Sequence, residues 1–254
     1  MVVKEYELNL SATEFVYFLE CPQKFRLYRM LNPVPDKEDF MENRRTNSSY
    51  KLRGYKGSKD KGIGYHLFFE TFHKEYAKVI TEKIPPVEIQ EDNVKLLYWV
   101  IQQEKYLEAK KLYYWYPFAT ELRLMTEKQR GIIDCLELCE TKNGLRLLDY
   151  KPTPEPNDEL TLLFYANLLN DYRLENVEDE RFDYKVIEIG NYYYQMGVSE
   201  IYNLTEMKNS VFNKTFSNML EEITNENFYP NKSSCWNCNF RIICKIEPSK
   251  YREY

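Results

Sequence analysis

The chain ends in Cys235-x2-Cys238-x5-Cys244, and one further cysteine, Cys21, stands more than two hundred residues upstream in front of Pro22. If all four thiolates share one metal centre, the two ends of the chain must lie side by side, because metal binding and folding are then linked. By spacing alone the four sulfurs suit tetrahedral zinc as well as an iron–sulfur cluster. Structural zinc sites commonly pair two short Cys-x2-Cys knuckles, whereas this chain splits its ligands one plus three. There is no N-terminal signal peptide and no apolar run of membrane-spanning length, so a soluble cytoplasmic protein without a membrane partner is expected. In a reducing compartment clustered cysteines read as metal thiolates rather than disulfides.

A net charge of -5 excludes a uniformly basic nucleic-acid binder. Positive charge is concentrated instead between residues 43 and 61, where Arg44, Arg45, Lys51, Arg53, Lys56, Lys59 and Lys61 face a single acid, Asp60. Such a strip either follows a phosphate backbone or is a solvated loop. The 23 tyrosines and 14 phenylalanines serve packing and can also stack on unpaired bases. With 254 residues and 43% hydrophobic content, one large domain, or one core with an appended helical lobe, is expected.

Ser11-Ala-Thr-Glu14 is a capping box opening a helix that carries Phe15, Phe18 and Leu19, and Pro22 opens the next helix. Residues 1–35 are therefore helical and hold Cys21, and 36–61 read as a long basic loop. Residues 62–116 read as helical, with Gly62-Ile-Gly64 ahead of an apolar helix from Tyr65 to about Ile80 and a second helix from about Glu91 to Tyr116. Residues 117–230 change character. Phe118–Met125 and Gly131–Glu140 alternate, and Leu145–Lys151 follows a turn at Asn143-Gly144. Asp158–Asn170 reads as a helix, Phe182–Gly190 and Tyr192–Gly197 as strands, and Thr205–Thr224 as a helix before the cysteine tail of 231–254. The fold class is α/β.

Asp149 and Lys151 are two apart on a strand and project from one face. Asp134 lies on the preceding strand. A four-residue loop sets it opposite Asp149 and a tight turn sets it opposite Thr153, and both registers keep the three groups on one face. Two converging carboxylates repel unless a cation lies between them. Oxygen ligands favour magnesium or manganese, which activate a phosphodiester for attack by water, with Lys151 placed to offset the developing charge. The competing account is a surface salt bridge. His66 is either a nitrogen ligand of the same ion or a core residue among Tyr65, Phe68 and Phe69; His73 reads as structural. Glu121, in Thr-Glu-Leu-Arg on the first strand, is either a further carboxylate of this site or an ordinary surface acid.

Taken in order, Ser11, Cys21-Pro22-x-Lys-Phe, Gly62-Ile-Gly64-Tyr-His66, Gly-Ile-Ile-Asp134, Asp149-Tyr-Lys151, Tyr165 and Cys235-x2-Cys238-x5-Cys244 span nearly the whole chain. The pattern resembles the RecB-like nucleases of the PD-(D/E)XK superfamily, most closely the CRISPR-associated iron–sulfur members; the nuclease domain of AddB and exonuclease V share the cysteine framework. The resemblance implies a nuclease core with a mixed central sheet flanked by helices. It implies that His66, Asp134, Asp149 and the Tyr150 carbonyl bind Mn2+ or Mg2+, and that Lys151 is catalytic. Tyr165 corresponds to the tyrosine of the family's Gln-x3-Tyr motif, although Thr161 replaces its glutamine. Cys21, Cys235, Cys238 and Cys244 would hold a [4Fe–4S] cluster, with zinc as the alternative. The implied activity is exonuclease action on single-stranded DNA ends, including trimming of DNA before spacer integration alongside CRISPR integrase proteins. The competing functions are a cluster-bearing DNA-binding subunit with little catalysis and a repair exonuclease unrelated to CRISPR. Arg44, Arg45, Arg53 and Lys56 are the candidate DNA-binding cations. Cys135 and Cys139 share the strand face opposite Asp134 and read as core thiols, and Trp236 as a shield over the cluster.

Overall fold

The computed structural model describes residues 8–42, 58–82, 84–109, 111–139, 143–176 and 184–244. Helices α1 (Ala12–Glu20), α2 (Pro22–Leu31) and α3 (Lys37–Glu42) lead to α4 (Ser58–Tyr76) and α5 (Asn93–Glu108). Strands β1 (Ala119–Met125), β2 (Arg130–Cys139) and β3 (Gly144–Lys151) follow, then α6 (Asp158–Glu175), β4 (Val186–Tyr193), β5 (Val198–Asn203) and α7 (Glu206–Thr224). A 3-10 helix, Lys232–Asn237, and a short turn of helix, Arg241–Cys244, complete the described chain.

The strands form one sheet in the order β1-β2-β3-β4-β5. Neighbours are antiparallel except β3 and β4, which are parallel. A parallel pair needs a crossover, and α6 supplies it. Each sheet face buries its own cluster. Phe15 and Phe25 from the N-terminal helices, Phe164 and Leu168 from α6 and Phe212 and Phe216 from α7 cover one face. Phe69 and Phe72 from α4 and Tyr98 and Trp99 from α5 cover the other, against Leu148, Tyr150 and Tyr192. Much of the aromatic excess is spent here: the Phe69 ring lies 4.5 Å from Tyr98 and 4.8 Å from Tyr150, the range of favourable aromatic pairs.

Several boundaries differ from the sequence pattern. The stretch expected to be a loop contributes α3, and α4 starts at Ser58, so Gly62 and Gly64 lie inside the helix rather than ahead of it. Glycine costs about 1 kcal/mol in a helix, less than the aromatic packing of this one gains. Arg44, Arg45, Arg53 and Lys56 fall outside the described residues. The long helix expected before residue 116 is broken. Asp92 caps α5 by accepting from the N–H groups of Val94 and Lys95, and Trp115, on a separate short turn, folds back to donate to the Gln102 carbonyl at 2.9 Å. Gly190 is not a strand end. A Cβ there would lie 2.4 Å from the Glu200 carbonyl oxygen, so β5 approaches too closely for any side chain; the turn falls at Gly197, with φ +65. Helix α6 runs five residues past the expected Asn170.

The capping box at Ser11 forms as its sequence requires, and Glu14 does more than cap. Its carboxylate is fully buried and takes Arg29 at 2.8 Å and Arg130 at 2.9 Å. Leu10 hydrogen-bonds on both sides of Gln129, to the Lys128 carbonyl and the Arg130 N–H. The N-terminal helices are thereby fixed to the start of β2. Removing the acid strands two buried guanidinium groups, so Glu14→Ala is expected to destabilise the protein by about 3–5 kcal/mol in a denaturant titration.

Candidate active site

The site sits where β2 and β3 part. Their ladder is intact from Cys139 and Gly144 to Cys135 and Leu148. One step further puts Asp134 across from Asp149, the register of the longer loop. There the Asp134 carboxylate, not a backbone carbonyl, accepts the Tyr150 N–H at 2.8 Å. A side chain inserted into the ladder opens a fork between the strands. The same point breaks the alternation of β2: Ile133 and Leu136, three apart, both belong to the first core cluster. Across the β1 pairing, Thr120 faces Cys135 and Leu122 faces Ile133, which sets Glu121 beside Asp134. Glu121 has φ +47, a left-handed conformation uncommon for a glutamate. Two irregular residues on adjacent strands thus turn their carboxylates toward α4.

His66 meets them there. Its Nδ1 lies 3.3 Å from Glu121 Oε1 and 3.4 Å from Asp134 Oδ1, and its ring packs edge-on against Tyr150. One donor atom from each of the three residues falls within 4.8 Å of the others. Neighbouring ligands at about 2.1 Å from an octahedral ion are separated by about 3 Å, so the donors match a small divalent cation in both type and spacing.

Asp149 adjoins this group. Burial, and then the charge of Asp134, push its carboxyl up to about 7, and Lys151 only partly opposes them. Lys151 Nζ lies 3.0 Å from Asp149 Oδ2; burial works against its charge, but the acidic neighbours Asp149, Asp158 and Glu155 together raise its pKa. A cation between the two carboxylates removes the repulsion. Without one, the folded protein holds a proton on Asp149 that the unfolded chain, with an ordinary pKa near 4, has already released. The sign follows directly: between about pH 4 and 7 the folded state binds more protons, so stability falls as pH rises through that window. The melting temperature of metal-free protein should fall between pH 5 and 8, Asp149→Asn should flatten that fall, and Mn2+ should raise the melting point most at pH 8. Equal slopes for variant and wild type would refute the assignment.

Other candidates are placed as follows. Tyr165 lies on α6 with its ring against the backbone of Gly131; a Cβ there would come 2.7 Å from Cε1. The Thr161 hydroxyl is turned back to the Asn157 carbonyl at 3.4 Å. His73 is buried, held near a pKa of 4 by desolvation and bonded to Gln102, a structural residue. Burial pushes the thiols of Cys135 and Cys139 up to about 12 and about 11, leaving them protonated core groups. A cleft of about 570 Å³ opens beside His66 and Glu121, bounded by α3 and by Glu70, Lys74 and Arg123. Arg123 holds α3 there by donating to the Phe40 carbonyl at 3.0 Å.

The four terminal cysteines line one cavity between the end of α1 and the 3-10 helix. Burial first, then the adjacent Cys21, Cys238 and Cys244, raise the pKa of Cys235. Crowded thiols of this kind are relieved by a cationic centre. Asn231 ties the two chain ends together: its N–H donates to Cys21 Sγ at 3.3 Å and its amide to the Glu20 carbonyl at 2.9 Å. Trp236 does not line the cavity. It is 41% exposed, with Arg241 over its ring, so the expected shield is instead a surface residue.

Glu121 is the ligand candidate that the sequence underweighted, because nothing in an alternating strand announces a left-handed residue. Asp158, Asn191 and Tyr193, which surround Lys151, were missed altogether; the parallel register that brings β4 beside β3 carries no local signal.

A five-stranded mixed sheet flanked by helices, with an acid-acid-lysine group at a strand fork, is the core of a metal-dependent nuclease. The sequence matches the PD-(D/E)XK nuclease superfamily over residues 9–245, and the chain belongs to that superfamily. No curated protein is similar enough to count as a match.

Proposed function

We propose that residues 1–254 form a single nuclease domain that degrades DNA from single-stranded ends and trims DNA ahead of CRISPR spacer integration. The observation that carries the catalytic reading is the convergence of His66, Glu121 and Asp134 on one point, with Asp149 coupled to Asp134 and paired with Lys151 beside it. These residues, with the Tyr150 carbonyl, would hold Mn2+ or Mg2+. Such an ion supplies Lewis-acid polarisation of the phosphate and a more acidic attacking water. The protein supplies the rest. Asp134, tethered to the Tyr150 N–H, holds its carboxylate in one orientation. Lys151, charged and half-buried, offers a cation to the phosphate oxygen on which negative charge grows. Tyr165, whose ring packs beside Gly131, would contact the substrate backbone. The cleft beside the site has the size of a small-ligand pocket and suits a nucleotide or two of unpaired strand rather than a duplex.

Cys21, Cys235, Cys238 and Cys244 would hold a [4Fe–4S] cluster. The donor set suits it, as it also suits zinc: all four are thiols and a backbone N–H is already directed at one sulfur. The preference for the cluster rests on the likeness of the cysteine framework. The CRISPR context, with integrase proteins as partners, rests on the likeness of the cysteine framework to CRISPR-associated members.

Two tests separate the claims. With Mn2+ and end-labelled single-stranded DNA, protein purified without air should cleave, and Asp149→Ala and Lys151→Ala should each lose about a hundredfold or more in rate. DNA bound but uncut by all three proteins would make this a binding subunit instead. The anaerobic protein should be brown and should bleach, with a fall in melting temperature, when Cys21 is changed to serine. A colourless protein with stoichiometric zinc would overturn the cluster.

A further inference from the structure

We propose that Asp158, outside the superfamily's acid-acid-lysine motif, is a positioning residue that holds the Lys151 ammonium in place; the inference rests on the nuclease reading above. Two carboxylates flank this ammonium, Asp149 with Oδ2 at 3.0 Å and Asp158 with Oδ1 at 3.9 Å. They come from different elements and have different obligations. Asp149 belongs to the candidate metal centre, where a cation competes with the lysine for its charge. Asp158 belongs to the first turn of α6 and is 8% exposed.

The second oxygen of Asp158 is fixed from two sides. Oδ2 accepts the Glu155 N–H at 2.9 Å and lies 3.2 Å from the Tyr193 hydroxyl, which donates to it. Asp158 is the nearer acceptor for this hydroxyl. Glu200 Oε2, at 3.4 Å, is the other acceptor in reach. The parallel ladder explains the arrangement. Lys151 pairs with Tyr193 and Asp149 with Asn191, so all four project from the same face of the sheet toward the start of α6. Asn157, at φ 72, turns the chain so that Asp158 faces back to that sheet. With Oδ2 held by its donors, Oδ1 is the oxygen left facing Lys151.

A free lysine side chain loses rotamer entropy when it is fixed. A partner whose own position is set by Tyr193 and Glu155 fixes it before substrate arrives. With the charge of Asp149 engaged by a divalent ion, Asp158 would remain to hold the ammonium at the fork.

The experiment uses the full chain with Mn2+ and single-stranded DNA. Asp158→Asn should lower kcat about tenfold to a hundredfold with KM changed less than about twofold, and Tyr193→Phe should have a smaller effect of the same kind. On the Lys151→Ala background Asp158→Asn should cost nothing further, because the residue acts through the lysine. The same loss in both backgrounds, or a loss confined to KM, would overturn the proposal. A second measurement is independent of catalysis. In metal-free protein the melting-temperature effects of Asp158→Asn and Lys151→Met should be non-additive, and additive effects would overturn the contact. If the wild type cuts no DNA, the nuclease reading fails, and the melting cycle alone decides whether Asp158 holds Lys151.

Discussion

The hydrogen bond from the Tyr150 N–H to the Asp134 carboxylate organises this molecule. In an unbroken antiparallel ladder that N–H would find a backbone carbonyl, and β2 and β3 would run on together. By substituting a side chain for the carbonyl, Asp134 lets the strands part and leaves no buried donor unpaired, which would otherwise cost about 1–3 kcal/mol. The fork lets groups from both layers meet. His66 arrives from the α4 layer, Asp149 and Lys151 project toward α6, and the left-handed Glu121 reaches in from β1. A regular sheet keeps its two faces apart.

The site is expensive in isolation. Two buried carboxylates lie side by side, a lysine is largely covered, and a glutamate holds an unfavourable backbone conformation. The surrounding fold has to over-determine them. On one side the aromatic cluster locks α4 against Tyr150 and so holds His66. On the other, Glu14 joins α1, α2 and the first residue of β2 through Arg29 and Arg130, four residues before Asp134. The chain ends are connected to the same frame, since α1 runs from Glu14 to Glu20, whose carbonyl accepts from Asn231 next to the cysteine cavity.

The capping box, the alternating strands and the acid-x-lysine pair were legible because each is a local pattern with a local cause. Helix boundaries around Gly62 and the β4–β5 turn were not. Glycine permits a turn but does not demand one, and at Gly190 it answers to the close approach of another strand. Glu121 was read as one of two things because its role depends on a backbone angle that only its neighbours enforce. Trp236 sat among clustered cysteines in sequence and yet faces solvent, since a 3-10 helix distributes adjacent residues around its axis.

The sequence by itself determined the chemistry available: which acids, which histidine, which lysine and which thiols the chain owns, and the strand spacing that puts Asp149 and Lys151 on one side. Tertiary structure decided which of these meet. The register of β2 on β3, the parallel placement of β4 and the left-handed turn at Glu121 arise from pairings between segments far apart in the chain. Hydrogen bonds between strands and burial against distant helices set those pairings. A one-residue slip would turn every side chain to the other face without altering a single local pattern.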